Sequence, residues 1–162
     1  MEFMSKEIQL TQGKVAIVDD EDFERINQWK WYYGGGYAGR NKKRTKGIPR
    51  GLSLHCFIMG KPSDGLEVDH IDGNKLNNQK SNLRIATRSQ NAMNVGITKR
   101  NKSGYKGVSW HKCSNKWEVR IRINGKKLHL GLFINKEDAA KAYNDAAKLH
   151  HGEFANLNKI NE

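Results

Sequence analysis

Cysteine is scarce in this chain. There are only two, Cys56 and Cys113, and they lie far apart. A structural zinc site usually takes four Cys/His ligands in paired spacing, so that class is set aside and two free thiols are expected. Long apolar runs are missing as well. No stretch approaches the roughly 20 residues needed to cross a bilayer. The opening MEFMSKEIQLTQ lacks the apolar stretch of a secretory signal. A cytoplasmic protein without membrane contact is expected. Acidic residues are in the minority, with 17 Asp+Glu against 29 Lys+Arg and a formal net charge of +12. The excess forms no basic amphipathic helix, which argues against an anionic membrane. It suits a nucleic acid, where each phosphate neutralised releases counterions.

The charge is uneven along the 162 residues, a length that fits one domain or two small ones. Residues 1–94 hold 15 basic and 11 acidic residues, and residues 95–162 hold 14 and 6. KEIQL and KVAIV read as short strands. DDEDFERINQ follows as a short helix with acidic residues in its first turn. KWYY and GYAGR read as a hairpin across Gly34, Gly35 and Gly36. The stretch around Asn41-Lys42-Lys43-Arg44 is a basic loop, either touching a nucleic-acid backbone or simply solvated. LSLHCFIMG is a short apolar element ending at Gly60. LEVDH and LRIAT then read as two strands around the polar loop IDGNKLNNQKSN, with SQNAMN as a short helix. VGITKRNKSG, residues 95–104, has a linker's composition.

The C-terminal stretch is more regular. WEVRIRI alternates, with Trp117, Val119, Ile121 and Ile123 on one face and Glu118, Arg120 and Arg122 on the other. Asn124-Gly125 is a two-residue hairpin signal. KKLHLGLF is expected to return with Leu128, Leu130 and Leu132 inward and Lys127 and His129 outward. YKGVSWH makes a third strand, and alternation puts Trp110 with Trp117 on the apolar face. Asn135 is placed to cap a helix, with Asp138 three residues on. Ala139, Ala142, Tyr143, Ala146 and Leu149 recur at helical spacing, and Gly152 suits the C-cap.

Asp69-His70 opens the segment VDHIDGNKLNNQKSNLRIATRSQNAMN, with Asn82 following His70 by 12 residues and Asn91 by 21. Identities, spacing and flanking words resemble the motif of phage-type HNH homing endonucleases. IVDDEDFERINQWKWYY and LHCFIMG also resemble the leader of that group. The resemblance implies a ββα-metal (His-Me finger) site, with Asp69 and His70 on the hairpin and Asn91 on the helix. Asp69 and Asn91 would offer oxygens to one hard divalent ion, Mg²⁺ or Mn²⁺. His70 would take a proton from the attacking water, as an imidazole with a pKa near 6.5 can at neutral pH. Asn82 would hold the loop and orient that base. Asp72 and Asn74 read as loop-formers, and Asn77 and Asn78 share Asn82's chemistry. Family members often carry His-Arg where this chain has His55-Cys56. His55 is open between a phosphate contact, a brace for the site and a buried structural role.

GYKGVSWHKCSNKWEVRIRINGKKLHLGLFINKEDAAKAYNDAAKLHHGEFANLN resembles the APETALA-two/ethylene-response-factor type of DNA-binding domain, in which a three-stranded sheet enters the major groove. Carried over, the contacts fall on Lys106, Arg120, Arg122 and Lys127. Ser109 and His111 stand where that family has arginines, His129 where it has tryptophan, and Arg120 where it often has glutamate. The plant target sequence is therefore not expected. The reading is an α+β protein with an HNH nuclease domain over 1–94, a linker over 95–104 and, over 105–162, an ethylene-response-factor-like domain of three antiparallel strands packed on one helix. Its partner would be double-stranded DNA, bound as a monomer or a dimer inside a host cell, with a phage or mobile-element origin implied by the resemblance. The competing readings are a DNA-binding regulator with a decayed HNH site, and a nuclease for RNA or branched DNA.

Overall fold

A computed structural model describes residues 4–41 and 51–160. The basic loop read at Lys42, Lys43 and Arg44 lies outside the described residues. The chain divides into two compact units, Met1–Thr87 and Arg88–Glu162.

In the first unit, β1 (Ser5–Gln9) and β2 (Val15–Asp19) pair as an antiparallel hairpin. Helix α1 (Asp20–Asn27) follows, with Asp20, Glu21 and Asp22 in its first turn, where the helix dipole favours them. Strands β3 (Tyr32–Gly34), β4 (Tyr37–Asn41) and β5 (Gly51–Ser53) form a second small sheet. Gly34 pairs with Tyr37, leaving Gly35 and Gly36 as a two-residue turn with φ of 60° and 90°, as such hairpins require. LHCFIM forms a short helix, α2 (Leu54–Met59), which ends at Gly60. Strands β6 (Leu66–His70) and β7 (Leu83–Thr87) pair antiparallel around the polar loop. One core, including Val18, Ile26, Trp31, Leu54, Val68 and Leu83, joins these pieces.

The loop between β6 and β7 is anchored on β2 along residues 76–80. Ile17 accepts from Asn78 N (2.7 Å) and donates to Leu76 O (2.8 Å), a parallel bridge onto β2. Asp19 accepts from Lys80 N at 2.7 Å and Gln79 Nε2 at 3.2 Å. These bonds pair the backbone groups of the loop where it passes over β2 at the buried Asn78.

The second unit begins with helix α3 (Arg88–Asn94) and carries β8 (Val108–His111), β9 (Lys116–Ile123) and β10 (Lys126–Phe133) in the order β10-β9-β8. Helix α4 (Lys136–His151) packs on one face, with Ala139, Ala140, Tyr143 and Ala147 meeting Val108, Val119 and Ile121. Asn135 caps α4 by accepting from Glu137 N and Asp138 N. The structure departs from the sequence reading at four apolar positions, of which Leu128 keeps the inward register opposite Ile121 but is 45% exposed. Leu132 lies opposite Glu118 and is 40% exposed, because a bulge between His129 and Gly131 shifts the register of β10. Leu149 is 79% exposed, since six residues past Tyr143 is a turn of about 240° around the helix. Trp110 does pair with Trp117, at 5.0 Å between rings, but stays 48% exposed near the end of the sheet.

Candidate active site and nucleic-acid interface

Strand β6 delivers Asp69 and His70 side by side, and both are buried. Adjacent strand residues face opposite ways, so the two side chains enter different surroundings. Asp69 lies opposite Arg84 across the hairpin, and Arg84 donates to Asp69 Oδ2 from Nε at 3.0 Å and Nη2 at 2.9 Å. The carboxylate thus stays in a buried setting with its charge compensated.

His70 enters a cluster of rings. His55, on α2, meets it edge to face, with centroids 5.1 Å apart and planes at 88°. Tyr37, on β4, lies 5.4 Å from the His55 ring and 6.1 Å from the His70 ring. The Lys75 ammonium sits 4.2 Å from the Tyr37 ring centroid. His55 Nε2 is 3.0 Å from Ser53 Oγ, and His70 Nε2 is 3.4 Å from Asn78 Oδ1. Burial pushes the His70 imidazole below its ordinary pKa. The Asn78 contact and the carboxylates of Asp72 and Asp69 oppose that shift, and Lys75 adds to it. His55 is pushed down to about 4, first by burial and then by the charge of His70. Both rings are therefore neutral at pH 7.

The asparagines divide their roles. Asn82 accepts from Asp72 N (3.0 Å) and donates to Asp72 Oδ1 (2.9 Å) and Asn77 O (2.9 Å), so its side chain knits the loop. Asn78 is the amide that meets the His70 ring, at 1% exposure. Sequence spacing singled out Asn82 and left Asn78 as a neighbour of similar chemistry; only the docking of the loop on β2 distinguishes them. Asp72 and Asn74 build turns, with Asp72 Oδ1 accepting from Asn74 N (2.7 Å) and Asn74 Oδ1 from Leu76 N (3.1 Å). Asn91 lies half-buried on α3, in the second unit.

In the second unit, strand register places Ser109, His111, Arg120, Arg122, Lys127 and His129 on the sheet face away from α4. Lys127 pairs with Arg122, His129 with Arg120, and Ser109 with Glu118. Arg120 donates to Glu118 Oε1 from Nε (2.9 Å) and pairs with it through Nη2 at 2.6 Å, and His129 Nδ1 is 3.2 Å from the same oxygen. Lys106 differs from this group. Its ammonium donates to Met93 O, and burial lowers its pKa to about 8.

The loop, hairpin and buried aspartate–histidine pair define a class. The HNH endonuclease family pattern matches residues 59–93, and the chain belongs to that family. An uncharacterized HNH endonuclease of Acanthamoeba polyphaga mimivirus is 35% identical over 154 residues, covering 92% of this chain and 77% of the relative. Protein 3.8 of Escherichia phage T7 is 38% identical over 114 residues, 70% of this chain and 93% of that protein. The APETALA2-like protein 2 of Oryza sativa subsp. indica is 43% identical over 61 residues, 36% of this chain and 14% of the plant protein.

HNH endonucleases generally depend on a divalent metal ion. Among the described residues, no group of three His, Cys, Asp or Glu side chains is gathered to hold one. A small hard cation takes oxygen ligands such as the Asp69 carboxylate, needs few of them from the protein, and completes its shell with water and phosphate. Among the described residues, no helix is long and apolar enough to cross a membrane.

Proposed function

We propose that the protein is a DNA endonuclease, of the nicking or homing kind, that hydrolyses a phosphodiester with His70 as general base. The observation that carries this reading is the buried His70 ring held against Asn78. With Nε2–H donating to Asn78 Oδ1, the lone pair resides on Nδ1, which can accept a proton from an attacking water. Asn78 orients the base, and Asn82 keeps the loop in the shape that presents Asn78. Asp69 and Asn91 would hold one Mg²⁺ or Mn²⁺, whose bound form offsets the charge that builds on the phosphate and leaving oxygen. Lys75, held over Tyr37 beside the histidines, adds positive charge to the site. The 105–162 segment would act as the ethylene-response-factor-like module, its basic sheet face binding duplex DNA, with 1–94 supplying the chemistry. One active site per chain favours a nick, and two chains acting together would cut both strands.

The test is conversion of supercoiled plasmid carrying the sequence that neighbours the gene. Open-circle or linear product is expected with Mg²⁺ and the unaltered chain, and none with EDTA or with His70→Ala. Equal cleavage by His70→Ala would sink the assignment. Loss with Asn78→Ala greater than with Asn77→Ala is expected from the ring contact.

A further inference from the structure

The outer face of the C-terminal sheet carries cations and one carboxylate, Glu118. Its side chain is only 10% exposed, whereas that of Arg120 is 52% exposed. Ser109 flanks Glu118 from β8 and Leu132 from β10. A buried carboxylate costs free energy unless it is paired, and on a DNA-facing surface it also repels phosphate. Its bonds indicate what it contributes. Glu118 Oε1 takes the side edge of Arg120, through Nε at 2.9 Å and Nη2 at 2.6 Å, and His129 Nδ1 holds the same oxygen from β10 at 3.2 Å. A guanidinium engaged along its side edge keeps its end edge, formed by Nη1 and the second Nη2 proton. Those two parallel N–H groups match the O6 and N7 acceptors of guanine in the major groove. Fixing the side edge removes rotamer freedom that Arg120 would otherwise lose on binding. An exposed ion pair between strand neighbours would do little. The burial of Glu118 and the closeness of His129 on the facing strand set this pair apart from an exposed one.

We propose that Glu118 is a positioning residue that clamps Arg120 side-on so that its end edge reads a guanine in duplex DNA. The inference rests on the reading that this sheet binds DNA. It also accounts for the bulge in β10. By turning Leu132 onto the outer face opposite Glu118, the shifted register puts an apolar residue beside the carboxylate.

The experiment uses the full chain in EDTA, which prevents cleavage, and duplexes selected from a random library. The selected sites are expected to share a guanine. Replacing it with 7-deazaguanine or adenine should weaken wild-type binding about tenfold or more. Arg120→Ala should bind these duplexes alike. Glu118→Gln keeps the size of the side chain and should lose most of that discrimination, while its affinity for random DNA stays level or rises. Arg120→Lys leaves a cation beside Glu118 and should bind random DNA well but lose the guanine preference. Full discrimination by Glu118→Gln, or by Arg120→Lys, would overturn the clamp. Combined Arg120→Ala, Arg122→Ala and Lys127→Ala separates the two failures. If this triple variant binds duplex DNA as the wild type does, the sheet reading falls and the clamp with it. If it loses binding while Glu118→Gln discriminates like the wild type, the clamp alone is wrong.

Discussion

His55 and His70 make one edge-to-face pair, yet sequence spacing isolates only His70. The motif ties His70 to Asn82 and Asn91, whereas His55 comes from a separate apolar element and meets the site only once α2 is folded. A pKa of about 4 for His55 makes it a neutral ring near pH 7, which favours a brace over a cationic phosphate contact. The lowered value also has a stability consequence. Below its ordinary 6.5 the unfolded chain binds a proton that the folded chain refuses, so stability falls as pH drops from about 6.5 towards 4 and is full above that window. Urea unfolding at pH 7 and pH 4.5 should show His55→Gln losing about 2 kcal/mol less than the wild type across that interval. Equal losses would mean that the His55 ring titrates normally. Asn78 was illegible for a different reason. Four asparagines crowd the loop, and choosing among them takes the bridge to Ile17, a contact distant in sequence.

Among elements, the C-terminal hairpin was the most readable. Strand alternation and turn chemistry are local, and Asn124 and Gly125 adopt φ of 48° and 78° as a two-residue turn needs. The reading failed within KKLHLGLF, where the leucines keep an unbroken alternation on paper. Gly131, at φ 142°, was the available signal, because a lone glycine inside a strand often marks a bulge. Helix α2 is too short to display a helical period, so LHCFIM read only as apolar. Gly107 shows how closely α4 sits on the sheet. It has φ 75°, and a Cβ there would lie 2.1 Å from Tyr143 Cδ2 and 2.7 Å from Arg120 O. Gly107→Ala is expected to destabilise the second unit by about 2–3 kcal/mol, or to prevent its folding. Thermal unfolding would check this, and an unchanged midpoint would contradict so close a packing.

At the scale of the whole molecule, the +12 charge was legible at once as a polyanion's counterpart, because composition needs no fold. What composition could not reveal is that the cations are not equivalent. Lys106 is turned to Met93 O, Lys80 serves the acidic first turn of α1, and Lys127 stands on the outer sheet face beside Arg122. Their expected behaviour on DNA differs accordingly. In a plot of log K against log salt concentration, Lys127→Ala should make the slope shallower by about 0.9, the share of one phosphate contact. Lys80→Ala should leave the slope as it was. Filter binding across a salt series would measure both, and identical slopes for all three proteins would remove Lys127 from the interface.

The docking of the polar loop on β2 reaches beyond the motif. The family pattern covers residues 59–93, but Ile17 and Asp19, which grip the loop, lie far upstream. A graft of the matched segment into another scaffold would carry His70 and both amides and leave behind the rail that aims Asn78. The transferable cassette therefore reaches back to β1 and on through Asn91, and the strand that looks like mere leader travels as part of the blade.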